Sequence, residues 1–283
     1  MKYYLLSTSH LVTGIWFRND EDFLTAMNYV AVAAAVTGVS ILAFVLMSNH
    51  VHFVLCCSYK KALEFINHFK RLYGAYFQKR YGIRSLLRRN TVDIRELSRY
   101  DESLERGIAY TIDNPVAANL CLHPSQYPWG SGNTIFNRSE TQGRILSELS
   151  QSKRRRLLKS KAELNPDSIL STGGFILPQS YIPVRFLESL FGTPKRLNFF
   201  ITTSSKARLK LEKSPSPAFR DQVLTQAVQD LSRSLFRTGT IQELSSDDKR
   251  ELLLQMQRRF NADAKQLARV TGFSYEEVLQ ILG

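Results

Sequence analysis

Cysteine is scarce in this chain, and acid is scarce over much of it. The 283 residues include three cysteines, two of them adjacent (Cys56, Cys57), which excludes a disulfide framework. No apolar run is long enough for a membrane helix, which needs about 20 residues. The longest candidate, Tyr29 to Leu46, is broken by Thr37, Gly38 and Ser40. The opening Met1-Lys2-Tyr3-Tyr4 runs straight into a strand-like segment without a signal-peptide pattern. Low-complexity tracts are missing, and 43% hydrophobic with 22% charged residues is ordinary globular composition. The expectation is a cytoplasmic protein with no membrane association and room for two domains.

What is there is positive charge, unevenly placed. The net charge is +13, which points to a polyanionic partner. From Phe65 to Val92 seven basic residues (Lys70, Arg71, Lys79, Arg80, Arg84, Arg88, Arg89) face no acidic one. Phe69, Tyr73, Tyr76, Phe77 and Tyr81 are interleaved with them. Phosphate contacts with base stacking fit that pattern, and so does a solvated helix face. Gln151 to Arg220 carries 14 basic and 4 acidic residues, including Lys153, Arg154, Arg155 and Arg156. Asp221 to Gly283 carries 8 and 9.

Periodicity predicts a strand at Lys2 to Ser9 and a helix at Asp20 to Val36, capped by Asn19 or Asp20 and closed near Gly38. Strands follow at Val39 to Leu46 and His50 to Cys57, around the turn Met47-Ser48-Asn49. A long helix spans Lys60 to Tyr81, Thr91 to Leu97 is a strand, and Glu102 to Asp113 is a helix ended by Asn114-Pro115. This order predicts an α+β fold: a ferredoxin-like antiparallel sheet with helices on one face. Pro124 to Gly132 reads as a surface loop. Residues 1–135 form this first domain, and 136–220 read as a basic linker with helical segments at Lys153 to Lys161 and Tyr181 to Gly192. Within it, Pro166 to Pro183 reads as irregular and Ser214-Pro215-Ser216-Pro217 as a loop.

Residues 221–283 read as a mostly helical domain, with helices at Asp247 to Arg259, Asp263 to Val270 and Tyr275 to Leu282. Thr271-Gly272-Phe273 forms the turn before the last helix, and Ser274 with Glu277 makes a capping box. Helix, glycine turn, helix is a helix-turn-helix pattern. It fits contact with double-stranded DNA, and equally a packing bundle.

His50-Val51-His52 is the sharpest chemical signal. On a strand the two imidazoles share a face, which suits a divalent metal or two hydrogen-bonded, partly buried histidines. A histidine-triad hydrolase needs a third histidine where Val54 stands. A cupin needs later ligands that His68 and His123 are poorly placed to supply. Cys56 shares the face of His52 and reads as a buried strand-end thiol. Tyr110 and Asn114 are four apart and share a helix face. A phenol is a weak nucleophile unaided, but attacks phosphorus when a metal and basic groups stabilise the phosphate. Asn114 can supply a ligand oxygen. Core packing for Tyr110 and helix termination for Asn114 are the plainer alternatives.

The strings Leu46-Met-Ser-Asn-His-Val-His-Phe-Val-Leu55, Tyr110-Thr-Ile-Asp-Asn-Pro-Val116 and Tyr127-Pro-Trp-Gly-Ser131 resemble, in order and spacing, the one-tyrosine HUH transposases, and among them the REP-associated tyrosine transposases. The resemblance covers roughly residues 1–135. It implies that His50 and His52, with Asn114 as third ligand, hold Mg²⁺ or Mn²⁺, and that Tyr110 is the nucleophile. It further implies attack on single-stranded DNA bearing hairpins, a 5′-phosphotyrosine link, and a second transesterification that rejoins strands, by a monomer or a homodimer.

Departures from that pattern are Ser48 in place of the turn proline, Thr111 in place of isoleucine, and a loose match over Gly82 to Asn90. Gly107 precedes Tyr110 by one turn. A helical glycine costs about 1 kcal/mol relative to alanine, which implies a mobile or merely less stable tyrosine helix. The C-terminal half resembles extended versions with an added helix-turn-helix tail. A non-catalytic DNA hairpin-binding or regulatory protein on the same fold is the alternative, and an unrelated metal hydrolase is a third.

Overall fold

The computed structural model describes residues 2–8, 14–84, 87, 90–137, 143–209, 219–236, 238, 240–260 and 262–282. Ser9, Arg88, Arg89 and the Ser214–Pro217 loop lie outside the described residues. The chain runs β1 (Tyr3–Thr8), α1 (Asp20–Thr37), β2 (Ser40–Met47), β3 (His50–Cys56), α2 (Tyr59–Tyr81), β4 (Val92–Leu97) and α3 (Ser103–Ala117). Asn19 caps α1 by accepting from the Asp22 N–H at 3.1 Å, and Gly38 closes it at φ 64°, a left-handed conformation that glycine adopts without a Cβ penalty.

The four strands form one antiparallel sheet in the order β2-β3-β1-β4. β1 and β2 both run antiparallel to the β3 between them, so α1 crosses over it; α2 crosses over β1 in the same way to reach β4.

Helices lie on both faces of this sheet, which corrects the one-face expectation. Side chains alternate along β3. Phe53 packs on Phe65 and Phe69 of α2, with ring centroids 5.0 and 5.5 Å apart. Its neighbour His52 points the other way, to Tyr110 of α3. The helix α3 also passes through Asn114-Pro115 to Ala117. Pro115 sits in the last turn, where its missing N–H costs one bond. The end closes in a Schellman arrangement: Leu120 N–H donates to Pro115 O and Asn119 N–H to Val116 O, both at 2.9 Å, with Asn119 at φ 54°.

Gly107 allows α3 to approach β4. A Cβ there would lie 2.6 Å from Leu97 Cδ1, so this glycine serves close packing.

The 124–132 segment is not a surface loop. Tyr127 and Trp129 are buried, and Trp129 stacks on Phe23 at 5.0 Å. Its backbone covers the outer edge of β2: Leu46 N–H donates to Trp129 O at 2.9 Å and Ser131 N–H to Phe44 O at 3.0 Å.

Nor do the described residues of 136–220 form a linker. A small hairpin, β5 (Gly143–Ile145) with β6 (Ile169–Ser171), and α4 (Gln151–Leu158) pack Leu146, Leu158 and Ile176 onto Ala31 and Val32 of α1. Helices α5 (Val184–Phe191) and α6 (Pro194–Leu209) place Leu187, Phe191, Leu197 and Phe200 in the same core as the sheet. Apolar residues spaced among the basic ones drive this burial.

The tail contains α7 (Asp221–Phe236), which the sequence reading lacked, then α8 (Ser246–Phe260), α9 (Ala264–Thr271) and α10 (Tyr275–Leu282). Leu224, Val228, Leu252, Met256, Leu267 and Val278 form its core. Glu277 N–H donates to Ser274 Oγ at 3.0 Å, as the capping box requires. No helix of the described residues is long and apolar enough to cross a membrane.

Gly130 is the tightest point of the β2 cover. A Cβ there would lie 2.8 Å from Phe44 O and 3.3 Å from Val45 Cα, both backbone atoms. Gly130→Ala is expected to destabilise the fold by about 1–3 kcal/mol, read by urea unfolding; wild-type stability would show that the cover moves freely.

Candidate active site

The site is built on the β2–β3 hairpin. Met47 pairs with His50 and Val45 with His52, leaving Ser48 and Asn49 as the turn. His50 and His52 are 6% and 3% exposed, and their rings meet edge-on with centroids 4.9 Å apart. Each ring is fixed through Nδ1. His50 Nδ1 donates to Asn49 Oδ1 at 2.9 Å, and His52 Nδ1 shares a hydrogen bond with Ser7 Oγ at 2.9 Å across the strand pair. With Nδ1 as the donor, Nε2 of His50 keeps its lone pair at a buried position, the tautomer that outer partners impose on metal-binding histidines. Asn49 and Ser7 were missed in the sequence. Their signals were a turn amide beside His50 and a polar break in the apolar strand YYLLST.

α3 brings Tyr110 to the same place. Its ring lies edge-on to His52 at 5.4 Å. Asn114, one turn on, donates from Nδ2 to Tyr110 O at 2.8 Å, which leaves its Oδ1 as an acceptor. The two imidazoles lie together, a pair whose nitrogen donors suit Mn²⁺ better than the harder Mg²⁺, and Asn114 lies one turn from Tyr110 on α3. Among the described residues no group of three or more His, Cys, Asp or Glu is assembled. Cys56 sits at the far end of β3, beside a cavity of about 630 Å³, and burial raises its thiol pKa. It is no ligand of this site.

The basic helix α2 is not a stacking platform. Tyr73 is 0% exposed and donates its hydroxyl to Trp16 O. Phe69 and Phe77 are equally buried, and Tyr76 and Tyr81 both donate to Asp22 at 2.8 Å. Burial and that carboxylate push both phenols up. These aromatics recur at helical spacing because they form the core face, which corrects the stacking role given to Tyr73.

Arg80 is ion-paired with Glu21, which raises the guanidinium and lowers the carboxyl. Lys70 Nζ donates to Asn90 O at 2.6 Å, and burial lowers its pKa. Arg71, Lys79 and Arg84 are exposed, with Arg71 Nη2 at 2.7 Å from His68 Nδ1. On α4, Lys153, Arg155 and Arg156 are exposed, and Arg154 Nε donates to Leu149 O at 3.0 Å. That helix packs on α1, across the sheet from Tyr110. In the tail α10 carries no basic residue, and its exposed positions are Glu276, Leu279 and Gln280. The exposed cations of α8 and α9 are Arg250, Arg258, Arg259 and Lys265.

Protein-family models, curated proteins and solved structures all return no match to this chain. Removing either ring anchor is expected to loosen the imidazoles: Asn49→Ala and Ser7→Ala should each weaken Mn²⁺ binding about 10- to 100-fold, measured by calorimetric titration. Unchanged affinity in both would mean that Nδ1 anchoring does not set the site.

Proposed function

We propose that this chain is a metal-dependent, single-strand DNA endonuclease and transposase of the one-tyrosine HUH type, with Tyr110 as nucleophile. The observation that carries this reading is the meeting of His50, His52 and Tyr110, from β3 and α3, with ring centroids 4.9 and 5.4 Å apart. The strand order β2-β3-β1-β4 with two crossover helices is the one that a ferredoxin-like HUH domain requires, so the fold supports the reading too.

In this reading Tyr110 Oη attacks the scissile phosphorus. The Oη–P bond forms, the P–O3′ bond breaks, the phenolic proton is given up, and the departing 3′ oxygen takes a proton to become a free 3′-OH. A 5′-phosphotyrosine remains, and attack by another 3′-OH reverses the step and joins strands at no net loss of phosphodiester bonds. His50, His52 and Asn114 would hold Mg²⁺ or Mn²⁺, which would supply Lewis-acid polarisation of the phosphate. The chain's own residues orient the reacting groups. The His52 edge and the turn of α3 through Asn114 fix the phenol, and Asn49 and Ser7 fix the imidazoles. Single-stranded, hairpin-bearing DNA is the proposed substrate, drawn by the exposed cations Arg71, Lys79 and Arg84.

Labelled single-stranded DNA from the flanks of the chain's own gene, incubated with Mn²⁺ or Mg²⁺, is expected to give a covalent adduct on a denaturing gel. The adduct should vanish in Tyr110→Phe and without metal, and Mn²⁺ should support it at lower concentration than Mg²⁺. Retention of the DNA with no adduct in either metal would replace the enzyme by a hairpin-binding protein.

A further inference from the structure

The tail does more than sit beside the sheet. Its first three helix-entry residues dock on the corner that holds the histidine hairpin. Arg220 lies over the Tyr127 ring at 5.7 Å, and the Tyr127 hydroxyl donates to Leu46 O at 2.8 Å. Gln222 Nε2 donates to Phe17 O. Between them Asp221, 2% exposed, accepts from Ser48 Oγ at 2.5 Å. The Ser48 carbonyl is already taken by Trp16 N–H at 2.7 Å and Phe17 N–H at 3.2 Å. The turn is thus held by its carbonyl from the 16–17 segment and by its hydroxyl from the tail.

The other side of the Asp221 carboxylate belongs to α9. Arg269 donates from Nε at 3.0 Å and from Nη2 at 3.3 Å, and Gln266 Nε2 donates at 3.1 Å. A buried carboxylate with these partners is fixed in orientation. Ser48 is bonded in sequence to Asn49, whose Oδ1 holds His50 Nδ1 at 2.9 Å. A continuous route of hydrogen bonds and one peptide link therefore joins Arg269 to His50.

We infer that the C-terminal helical unit is a positioning device for the metal-binding hairpin, with Asp221 and Ser48 as its positioning residues. The inference rests on the reading of His50 and His52 as ligands. It assigns a purpose to Ser48, where the resembled family carries proline: proline has no hydroxyl for Asp221 to hold. Because α9 is the first helix of the helix-turn-helix pair, anything that moves that pair acts on His50 along the same route. By reciprocity, metal at the histidines tightens the docking of the tail.

Ser48→Ala is the decisive variant, since it leaves the buried Asp221–Arg269 pair intact. In the full-length chain it is expected to raise the Mn²⁺ dissociation constant about 3- to 10-fold, a smaller effect than loss of a direct ring anchor. Amide hydrogen exchange over residues 46–52 should quicken. Ser48→Thr, which keeps the hydroxyl, should stay at wild-type values for both. Faster exchange with wild-type Mn²⁺ affinity would reduce Ser48 to a structural contact and overturn the inference, as would no change in either. If the wild type binds no Mn²⁺, the ligand reading itself fails. The tail-to-hairpin link then stands on faster exchange in Ser48→Ala and falls without it.

Discussion

Everything at the candidate site depends on the register of the β2–β3 hairpin. Met47 opposite His50 puts both imidazoles on the α3 face; a slip of one residue would turn them into the Phe65–Phe69 layer and expose Val51 and Phe53. The register is held from three sides. β1 pairs with β3 along its length, with Ser7 opposite His52. The 129–131 backbone occupies the outer edge of β2, an edge that would otherwise be free to slip or to pair with another chain. The turn end is the third side, with Trp16 and Phe17 N–H donating to Ser48 O at 2.7 and 3.2 Å, and Thr8 at the end of β1 adds an Oγ1 that accepts from Val51 N–H at 2.9 Å.

Helix α3, which carries Tyr110, is fixed by different means. The lack of a side chain at Gly107 lets α3 lie against Leu97, and buried Glu105 reaches across to Arg196 of α6 at 3.3 Å. Burying a carboxylate is costly unless it is paired, so α6 cannot leave α3 without stranding a charge. The segment that looked like a basic linker is in this way part of what holds Tyr110 in place. A helical glycine one turn from Tyr110 invites a reading of mobility, but here it faces the Leu97 side chain at close range.

The sequence was most legible where local rules decide. Strand alternation placed His50 and His52 on one face, the Asn19 and Gly38 caps set the ends of α1, and helical spacing put Tyr110 and Asn114 together. It was least legible where distant segments decide. Nothing local to residues 127–131 says that their backbone will complete the edge of a strand more than 80 residues earlier. Pro115 read as a stop because local sterics disfavour it, yet one missing bond in a final turn is easily offset by a Schellman closure. α7 is legible in principle, since Leu224, Val228 and Leu231 recur at helical spacing, yet it is absent from the helices expected from the sequence. On α2 the periodicity was right and its meaning was inverted. Aromatics between cations suggest nucleic acid, but a 3.6-residue period sorts the two kinds onto opposite faces.

That sorting changes how the positive charge can act. On α2 the cations Lys70 and Arg80 are spent on Asn90 O and Glu21, while Arg71 and Lys79 remain exposed. The densest cluster, on α4, rides on α1, on the side of the sheet away from Tyr110. The α4 cations are thus separated from Tyr110 by α1 and the sheet. In the proposed reading, a phosphate beside Tyr110 would depend on the groups of β3 and α3, and the α4 cations would act on the approach of the strand. Charge on this protein therefore divides by face: the exposed cations of α4 lie on the α1 side of the sheet, and the histidine hairpin faces α3.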